Sequence, residues 1–175
     1  SIGKEAFWIC ESLSSITVHS ENKSYASADG VLYNKSATTL LHYPAAKGKT
    51  SFEIPGTVTE IGHAAVDSNR VLTSIAIPDS VTKIGDKAFK YCYALKDIVI
   101  PDSVVSVGIE AFKYCESLEN AVLSNQMTNI GEAAFKYCYS LKRISVPGKV
   151  TAIGDMAFKY CSSLEHATLG SAVTA

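Results

Sequence analysis

Four copies of the pentapeptide Ala-Phe-Lys-Tyr-Cys place a thiol close to an amine and a phenol. The copies end at Cys92, Cys115, Cys138 and Cys161, so each lies 23 residues after the one before it. A thiolate is a nucleophile and a metal ligand, and a neighbouring cation can lower the pKa of a thiol. The recurrence therefore has to be tested as a reactive cysteine, a metal site or a disulfide.

The spacing favours none of these three kinds of chemistry. Metal-binding cysteines normally stand two to four residues apart, and no two of the five cysteines are that close. Five thiols cannot all pair, and equivalent side chains of a repeat point the same way. The sequence instead predicts buried free thiols that act as small apolar filler. We expect no catalytic residue, no metal and no cofactor, because the four histidines show no spacing typical of such sites either.

The constant 23-residue period predicts the elements that position these side chains. A fixed period in this range is typical of a solenoid, whose units bury their apolar faces against their neighbours. Within one unit, Leu95-x-x-Ile98-x-Ile100 has leucine-rich-repeat spacing, and Pro101 ends the strand because it lacks an N–H group. Glu110 to Lys113 reads as one helical turn.

The predicted fold is thus a single leucine-rich-repeat-like solenoid over residues 1–175, right-handed and α/β or β-rich. A parallel sheet forms one face, and one-turn helices with irregular turns form the other. Seven strand cores follow in register: Ile16/Val18, Phe52/Ile54, Ile75/Ile77, Ile98/Ile100, Ala121/Leu123, Ile144/Val146 and Ala167/Leu169. In the unit that starts at Gly62, Asn69 takes the cysteine position, where its side chain can hydrogen-bond the turn backbone.

One segment departs from the period. Ile61-Gly62 lies 59 residues after Ile2-Gly3, which leaves about 13 residues beyond two full units. The excess falls between residues 20 and 50, where Asp29-Gly30 and Asn34-Lys35-Ser36 are turn-prone. The sequence predicts an inserted β-hairpin near the N-terminus.

Composition excludes several classes of protein. The net charge is −1 with scattered basic residues, which argues against a nucleic-acid partner. No apolar run approaches the ~20 residues of a membrane span, and the first residues lack the apolar core of a signal peptide. Neither end carries a polar capping unit, so we expect a piece of a longer protein or ends that self-associate.

The pattern Ala-Phe-x-x-Cys-x-x-Leu-x-x-Ile-x-Ile-Pro-x-x-Val-x-x-Ile-Gly resembles the BspA-type leucine-rich repeat family. Residues 27–44 are similar to an insert common in that family. The resemblance covers nearly the whole chain. It implies a secreted or cell-surface protein that adheres to host matrix proteins or to other cells, and it brings no catalytic motif.

Two surfaces are candidates for binding. The outward side of the sheet carries small and mixed residues, and the insert carries three tyrosines and a polar tip. The candidate contact residues are Tyr25, Tyr33, Asn34, Tyr43, Glu53, Asp97, Asn120, Arg143 and His166. Tyrosines that pack the insert onto the solenoid are the alternative for some of these. The four Lys-Tyr pairs have two possible roles. They form either a cationic aromatic stripe for a partner or, as we favour, a solvent-exposed row that results from repeat duplication alone.

Three functions remain open on the sequence. The leading one is a non-enzymatic adhesion module that binds protein or glycan on the host matrix or on other cells. The alternatives are a structural spacer that presents other domains, and a non-catalytic accessory domain of a surface enzyme.

Overall fold

The protein is a β-solenoid in which each coil contributes two short parallel strands. A computed structural model describes residues 1–174. Fourteen strands occur in it: β1 (Tyr25–Ala28), β2 (Val31–Asn34), β3 (Thr39–His42), β4 (Ser51–Glu53), β5 (Glu60–Ile61), β6 (Ser74–Ala76), β7 (Lys83–Ile84), β8 (Asp97–Val99), β9 (Ser106–Val107), β10 (Asn120–Val122), β11 (Asn129–Ile130), β12 (Arg143–Ser145), β13 (Ala152–Ile153) and β14 (His166–Thr168).

These strands form two sheets instead of the single sheet predicted. One has six strands in the order β14-β12-β10-β8-β6-β4, and the other has eight in the order β1-β2-β3-β5-β7-β9-β11-β13. Pairing along the solenoid keeps the 23-residue period, as in Ser74 with Asp97 and Lys83 with Ser106. The sequence prediction of parallel strands stacked in register is confirmed, and the second sheet comes from the short Val-x-x-Ile edge of each unit.

The predicted one-turn helices do not form anywhere in residues 1–174. Two successive turns occupy their place, closed by Ala88 N–H to the Gly85 carbonyl and Lys90 N–H to the Lys87 carbonyl. Lys87 and Tyr91 both have left-handed backbone angles, with φ of 58° and 61°. A right-handed helix cannot continue through such residues. The remaining amides bond to the next coil instead, as in Phe89 N–H to the Ala111 carbonyl at 2.8 Å.

The core lies between the two sheets and the turns, and columns of identical side chains fill it. Phe89, Phe112 and Phe135 are fully buried and stack with ring centroids 5.0 and 5.1 Å apart. Phe158 continues the column at 5.5 Å. Each coil therefore shares its aromatic core with both neighbours, as expected of a repeat protein.

The insert contains the predicted β-hairpin, and a third strand extends it into a meander. β1 and β2 pair antiparallel across a tight turn at Asp29-Gly30, whose φ values of 46° and 72° suit a two-residue hairpin. β2 also pairs antiparallel with β3, and β3 pairs parallel with β5. The insert thus extends the eight-stranded sheet. The predicted first strand core, Ile16/Val18, is not a strand, because Ile16 N–H bonds to the Gly30 carbonyl of the insert instead.

After β3, the chain rejoins the repeat at Tyr43. The Tyr43 N–H donates to the Ala65 carbonyl at 2.7 Å, just as Val66 N–H donates to Ala88 at 2.8 Å. Tyr43 thereby fills the position that phenylalanine holds in later coils. It is fully buried, and its ring centroid lies 4.5 Å from that of Phe52.

Candidate functional site

The outward side of the six-stranded sheet is a solvent-exposed surface. Alternation along each strand points the middle residue into the core and the flanking two outward. The outward residues are all exposed: Ser51, Glu53, Ser74, Ala76, Asp97, Val99, Asn120, Val122, Arg143, Ser145, His166 and Thr168. We call these twelve residues the sheet face. The first outward residue of each strand contributes to one row and the second to another. The first row contains four of the predicted contact residues, Asp97, Asn120, Arg143 and His166, and Glu53 begins the second row.

The row that holds those four residues is polar and changes its charge along the solenoid. Asp97 accepts a hydrogen bond from Asn120 Nδ2 at 2.7 Å. Asn120 is in register with Arg143, and Arg143 with His166. With parallel strands ~4.8 Å apart, the row passes from an acidic to a basic residue over three strands. Such a row can match complementary charges on an elongated partner.

The second row has an apolar centre. Val99 and Val122 are paired in register and are 60% and 55% exposed. Two exposed β-branched side chains next to the Asp97–Asn120 pair make the middle of the sheet face partly apolar and partly hydrogen-bonding. This combination resembles the composition of a small protein interface, in which an apolar centre has a polar rim.

The structure removes Tyr33 and Tyr43 from the candidate contacts. Both are buried, with 3% and 0% of their surface exposed, and burial raises the pKa of Tyr33 to about 12. A ligand outside the folded protein does not reach them. The alternative reading, that tyrosines pack the insert onto the solenoid, applies to these two.

The other two insert residues are partly buried and already have hydrogen-bond partners. Asn34 closes the turn before β3, because its Oδ1 accepts from Thr38 and Thr39 N–H at 2.8 and 2.9 Å. The Tyr25 hydroxyl accepts from Ile2 N–H at 2.9 Å. Tyr25 therefore ties the insert to the first repeat.

The Lys-Tyr pairs form a continuous ladder on the turn side of the solenoid. The rings of Tyr91, Tyr114, Tyr137 and Tyr160 stack with centroids 4.9, 4.4 and 4.8 Å apart. Each tyrosine also lies under the ammonium group of the lysine before it, at 5.0 to 5.6 Å. These contacts stabilise the coil stack, since stacked rings and cation–π pairs each contribute on the order of 1 kcal/mol.

Glu110 compensates the charge of two ladder lysines, one in its own coil and one in the coil before it. Glu110 binds both Lys113, at 2.5 Å, and Lys90 of the preceding coil, at 2.7 Å. The pairing of Asp86 with Lys90 that a helix would allow is not formed. Asp86 Oδ1 accepts from Ile109 N–H at 2.9 Å instead.

The cysteines are free, as predicted, and those of the pentapeptide stack in a column. The Sγ of Cys115 lies 3.2 Å from the Phe89 carbonyl of the coil before it, and the other three repeat this contact. Burial raises the pKa of the Cys161 thiol to about 11 and acts in the same direction on the others of the column. Such thiols are poor nucleophiles at neutral pH. Cys10, outside the column, is exposed.

The predicted role of Asn69, a hydrogen bond from its side chain to the turn backbone, is confirmed. Its Oδ1 accepts from Val71 and Leu72 N–H, and its Nδ2 donates to the Ala45 carbonyl at 3.3 Å. The Asn69 amide thus contacts a carbonyl of the preceding coil, as the thiols do in later coils, and its oxygen also caps the following turn.

Two negative findings apply to the part of the chain that the structure describes. In residues 1–174, no three His, Cys, Asp or Glu side chains are grouped so that they could hold a metal ion. Over the same residues there is no helix suited to cross a membrane.

Sequence reasoning missed a cavity beside the insert, lined by Glu5, Trp8, His63 and Asp67 among others. A signal for it was present in the alignment of units. Trp8 and Asp67 both occupy the position that lysine holds in the pentapeptide, and each departs from the repeat in size or charge.

Comparison with known proteins places these features in context. The family model of the BspA type leucine rich repeat region matches residues 45–174 in six copies. A search of curated proteins found no significant match.

Solved structures give closer comparisons. The chain is similar to a leucine-rich repeat protein from Eubacterium ventriosum, with 32% identity and a TM-score of 0.86, over 99% of this chain and 46% of the other. A leucine rich cell surface protein from Faecalibacterium prausnitzii has 38% identity and a TM-score of 0.88, over 95% and 44%. The pneumococcal vaccine antigen PcpA shares the fold, with 24% identity and a TM-score of 0.87, over 99% and 44%. The chain spans less than half the length of each of these proteins.

Proposed function

Because this chain belongs to the BspA-type leucine-rich repeat family, we propose that it is a non-catalytic adhesion module of an extracellular protein. In this proposal, the sheet face attaches the protein to a protein or glycan on the host matrix or on a neighbouring cell. The cell-surface description of the Faecalibacterium protein supports the location.

The exposed Val99–Val122 pair carries the proposal. Two β-branched side chains in the middle of the sheet face gain nothing from solvent exposure, and burying both against a partner would be favourable. The Asp97–Asn120 pair and Arg143 lie beside them and supply hydrogen bonds and charge for specificity. A contact spread over twelve exposed residues on six strands suits a macromolecule.

A binding array tests this function. The protein is applied to immobilised host matrix proteins and glycans, and Val122→Lys is compared with Val105→Lys. Both valines are exposed, at 55% and 49%, but Val105 lies outside the sheet face and therefore serves as the matched control. We expect saturable binding to at least one array member, at least tenfold weaker for Val122→Lys and unchanged for Val105→Lys.

Two results would overturn the proposal. If no array member binds saturably, the structural spacer becomes the better description of this region. If Val105→Lys weakens binding as much as Val122→Lys, the contact does not use the sheet face.

A further inference from the structure

A cavity of about 180 Å³ lies where the first repeat meets the insert. Residues 2–8 form one wall, and Tyr25, Leu32, Leu41 and His42 of the insert form another. His63, Ala64 and Asp67 of the next coil complete the lining. Liquid water occupies about 30 Å³ per molecule, so the space corresponds to roughly six waters or one small organic ring.

The cavity exists because the insert interrupts the stacking of the turns. In the regular coils, three amides per turn layer bond to the next layer, for example those of Ala64, Val66 and Ser68. Between the insert and the next coil, as far as residues 1–174 show, only Tyr43 makes this bond. Within the described residues, no amide from positions 3–10 bonds to the insert. The first turn layer therefore stands apart from its neighbour and leaves a gap.

Asp67 belongs to the lining of this gap and has an incomplete hydrogen-bond set. It is 95% buried, and its Oδ1 accepts from the Ser68 hydroxyl at 2.7 Å. Its Oδ2 is buried without a hydrogen-bond partner among residues 1–174. Burial raises the pKa of this carboxyl group above its ordinary value. An unsatisfied buried carboxyl oxygen is costly, so a ligand that supplies a hydroxyl group is favoured there.

The charged groups at the cavity, Asp67 included, offset one another when the lysine bound to Glu5 is counted. Glu5 Oε1 binds Lys87 Nζ at 2.7 Å and His63 Nε2 at 3.0 Å, and the lysine bond chiefly lowers the pKa of Glu5 to about 2. Burial lowers the pKa of His42 to about 4, so this imidazole is neutral at physiological pH. Lys87 lies outside the lining, and with it the site holds two lysines, Lys4 and Lys87, and two carboxyl groups, Glu5 and Asp67. A strongly charged ligand therefore has no net electrostatic attraction to the cavity.

Aromatic rings form a further part of the cavity lining. The Phe7 ring lies 5.3 Å from that of His42, and Trp8 at the cavity is 49% exposed. An aromatic face beside both donors and acceptors matches a sugar ring, which has an apolar C–H face and an edge of hydroxyl groups.

We propose that this cavity binds one neutral pyranose unit, with a sugar hydroxyl as the partner of Asp67 Oδ2 and Trp8 against the ring face. The site is separate from the sheet face and goes beyond the adhesion proposed above. A pyranose fits the volume, the balanced charge and the mixture of aromatic and polar groups together.

Trp8 is the sole tryptophan of the chain, so its fluorescence reports directly on the cavity. The probes are methyl glycosides of neutral hexoses and N-acetylhexosamines, with methylguanidinium and butylammonium as cationic comparisons. We expect a saturable change in Trp8 emission with at least one neutral glycoside. Asp67→Ala should weaken that binding at least tenfold, whereas Asp97→Ala on the sheet face should leave it unchanged.

Thermal unfolding shows whether Asp67→Ala is still folded, so that weaker binding can be assigned to the lost carboxyl group. Asp67→Ala removes the unpaired Oδ2 but also the acceptor of the Ser68 hydroxyl. These two effects oppose each other, so the variant should unfold at a temperature close to that of the parent. For a tryptophan-independent readout, saturation-transfer NMR of Trp8→Phe should show the same glycoside bound more weakly.

Three outcomes would overturn the inference: no glycoside binds, Asp67→Ala binds as tightly as the parent, or a cationic probe binds more tightly than every sugar. The Val122→Lys variant should bind the glycoside normally. Failure of the sheet-face proposal and failure of this one are therefore distinguished in the same set of proteins.

Discussion

The Ala-Phe-Lys-Tyr-Cys pentapeptide divides its side chains between the core and the surface. Alanine, phenylalanine and cysteine are buried in columns, while the lysine and tyrosine form the stacked ladder on the turn side. The buried half could be predicted from the sequence, because hydrophobicity and stacking in register suffice. The left-handed backbone at Tyr91, Tyr114, Tyr137 and Tyr160 could not, since tyrosine has no intrinsic preference for positive φ. The stacked rings compensate for that local strain.

The phenylalanine column gives a prediction at this scale. Phe112 lies between Phe89 and Phe135, and all three are fully buried. Phe112→Ala should lower the free energy of unfolding by about 3–5 kcal/mol, because a cavity opens within two shared interfaces. Equilibrium denaturation followed by circular dichroism measures the change.

Phe158→Ala is the matched control. Phe158 is only partly buried and stacks on Phe135 alone, at 5.5 Å. Its loss should cost clearly less, and equal costs at the two positions would show that the column is not the main packing unit.

At the scale of the elements, the turns explain why the helix prediction was wrong. A single helical turn would satisfy its own amides, but here alternate amides bond to the neighbouring coil. Stacked turns satisfy those donors equally well and bring the coils close together. Sequence reasoning also identified the insert from its length and turn residues, yet missed its third strand. The partner of that strand, β5, lies about 20 residues further along the chain, and local patterns do not report such pairing.

Close approach of the coils makes a glycine column essential. A Cβ on Gly131 would lie 2.5 Å from the Gly108 carbonyl oxygen of the preceding coil, and neither backbone can move without disturbing the stack. Gly131→Ala should therefore cost about 1–3 kcal/mol of unfolding free energy. Denaturant unfolding again provides the measurement.

Gly148 offers a control with the same substitution. A Cβ at Gly148 would meet nothing within 4 Å. Gly148→Ala should be neutral or slightly stabilising, because it restricts the unfolded chain. A comparable loss at both positions would contradict the explanation by coil contact.

At the scale of the whole molecule, the fold is quasi-one-dimensional, and its stability is a sum over coils and their interfaces. The sequence predicted this architecture well, because the 23-residue period is regular and the apolar pattern repeats with it. The candidate sites were predicted less completely. The sheet-face residues follow from alternation, whereas the cavity depends on how the insert replaces one turn layer, which no repeat rule describes.

Removal of one whole unit tests whether stability is a sum over coils and their interfaces. Deletion of residues 109–131 takes out 23 residues and joins Gly108 to Glu132, which restores a Gly-Glu junction like that at Gly131. We expect a folded, cooperative protein with a smaller denaturant m-value, since less surface is exposed on unfolding. Deletion of residues 109–130 removes 22 residues and should unfold the chain or strongly destabilise it. If both deletions behave alike, register does not control the stack.

The short strands have a mechanical consequence. Each coil is held to the next by only one to three paired residues per sheet, together with the amides of the turns. A pulling force on the two ends loads these bonds one coil at a time, so the solenoid peels stepwise instead of rupturing as a block. Each step releases 23 residues, about 80 Å of extended chain. Under tension the module acts as an extensible tether that dissipates load in equal increments.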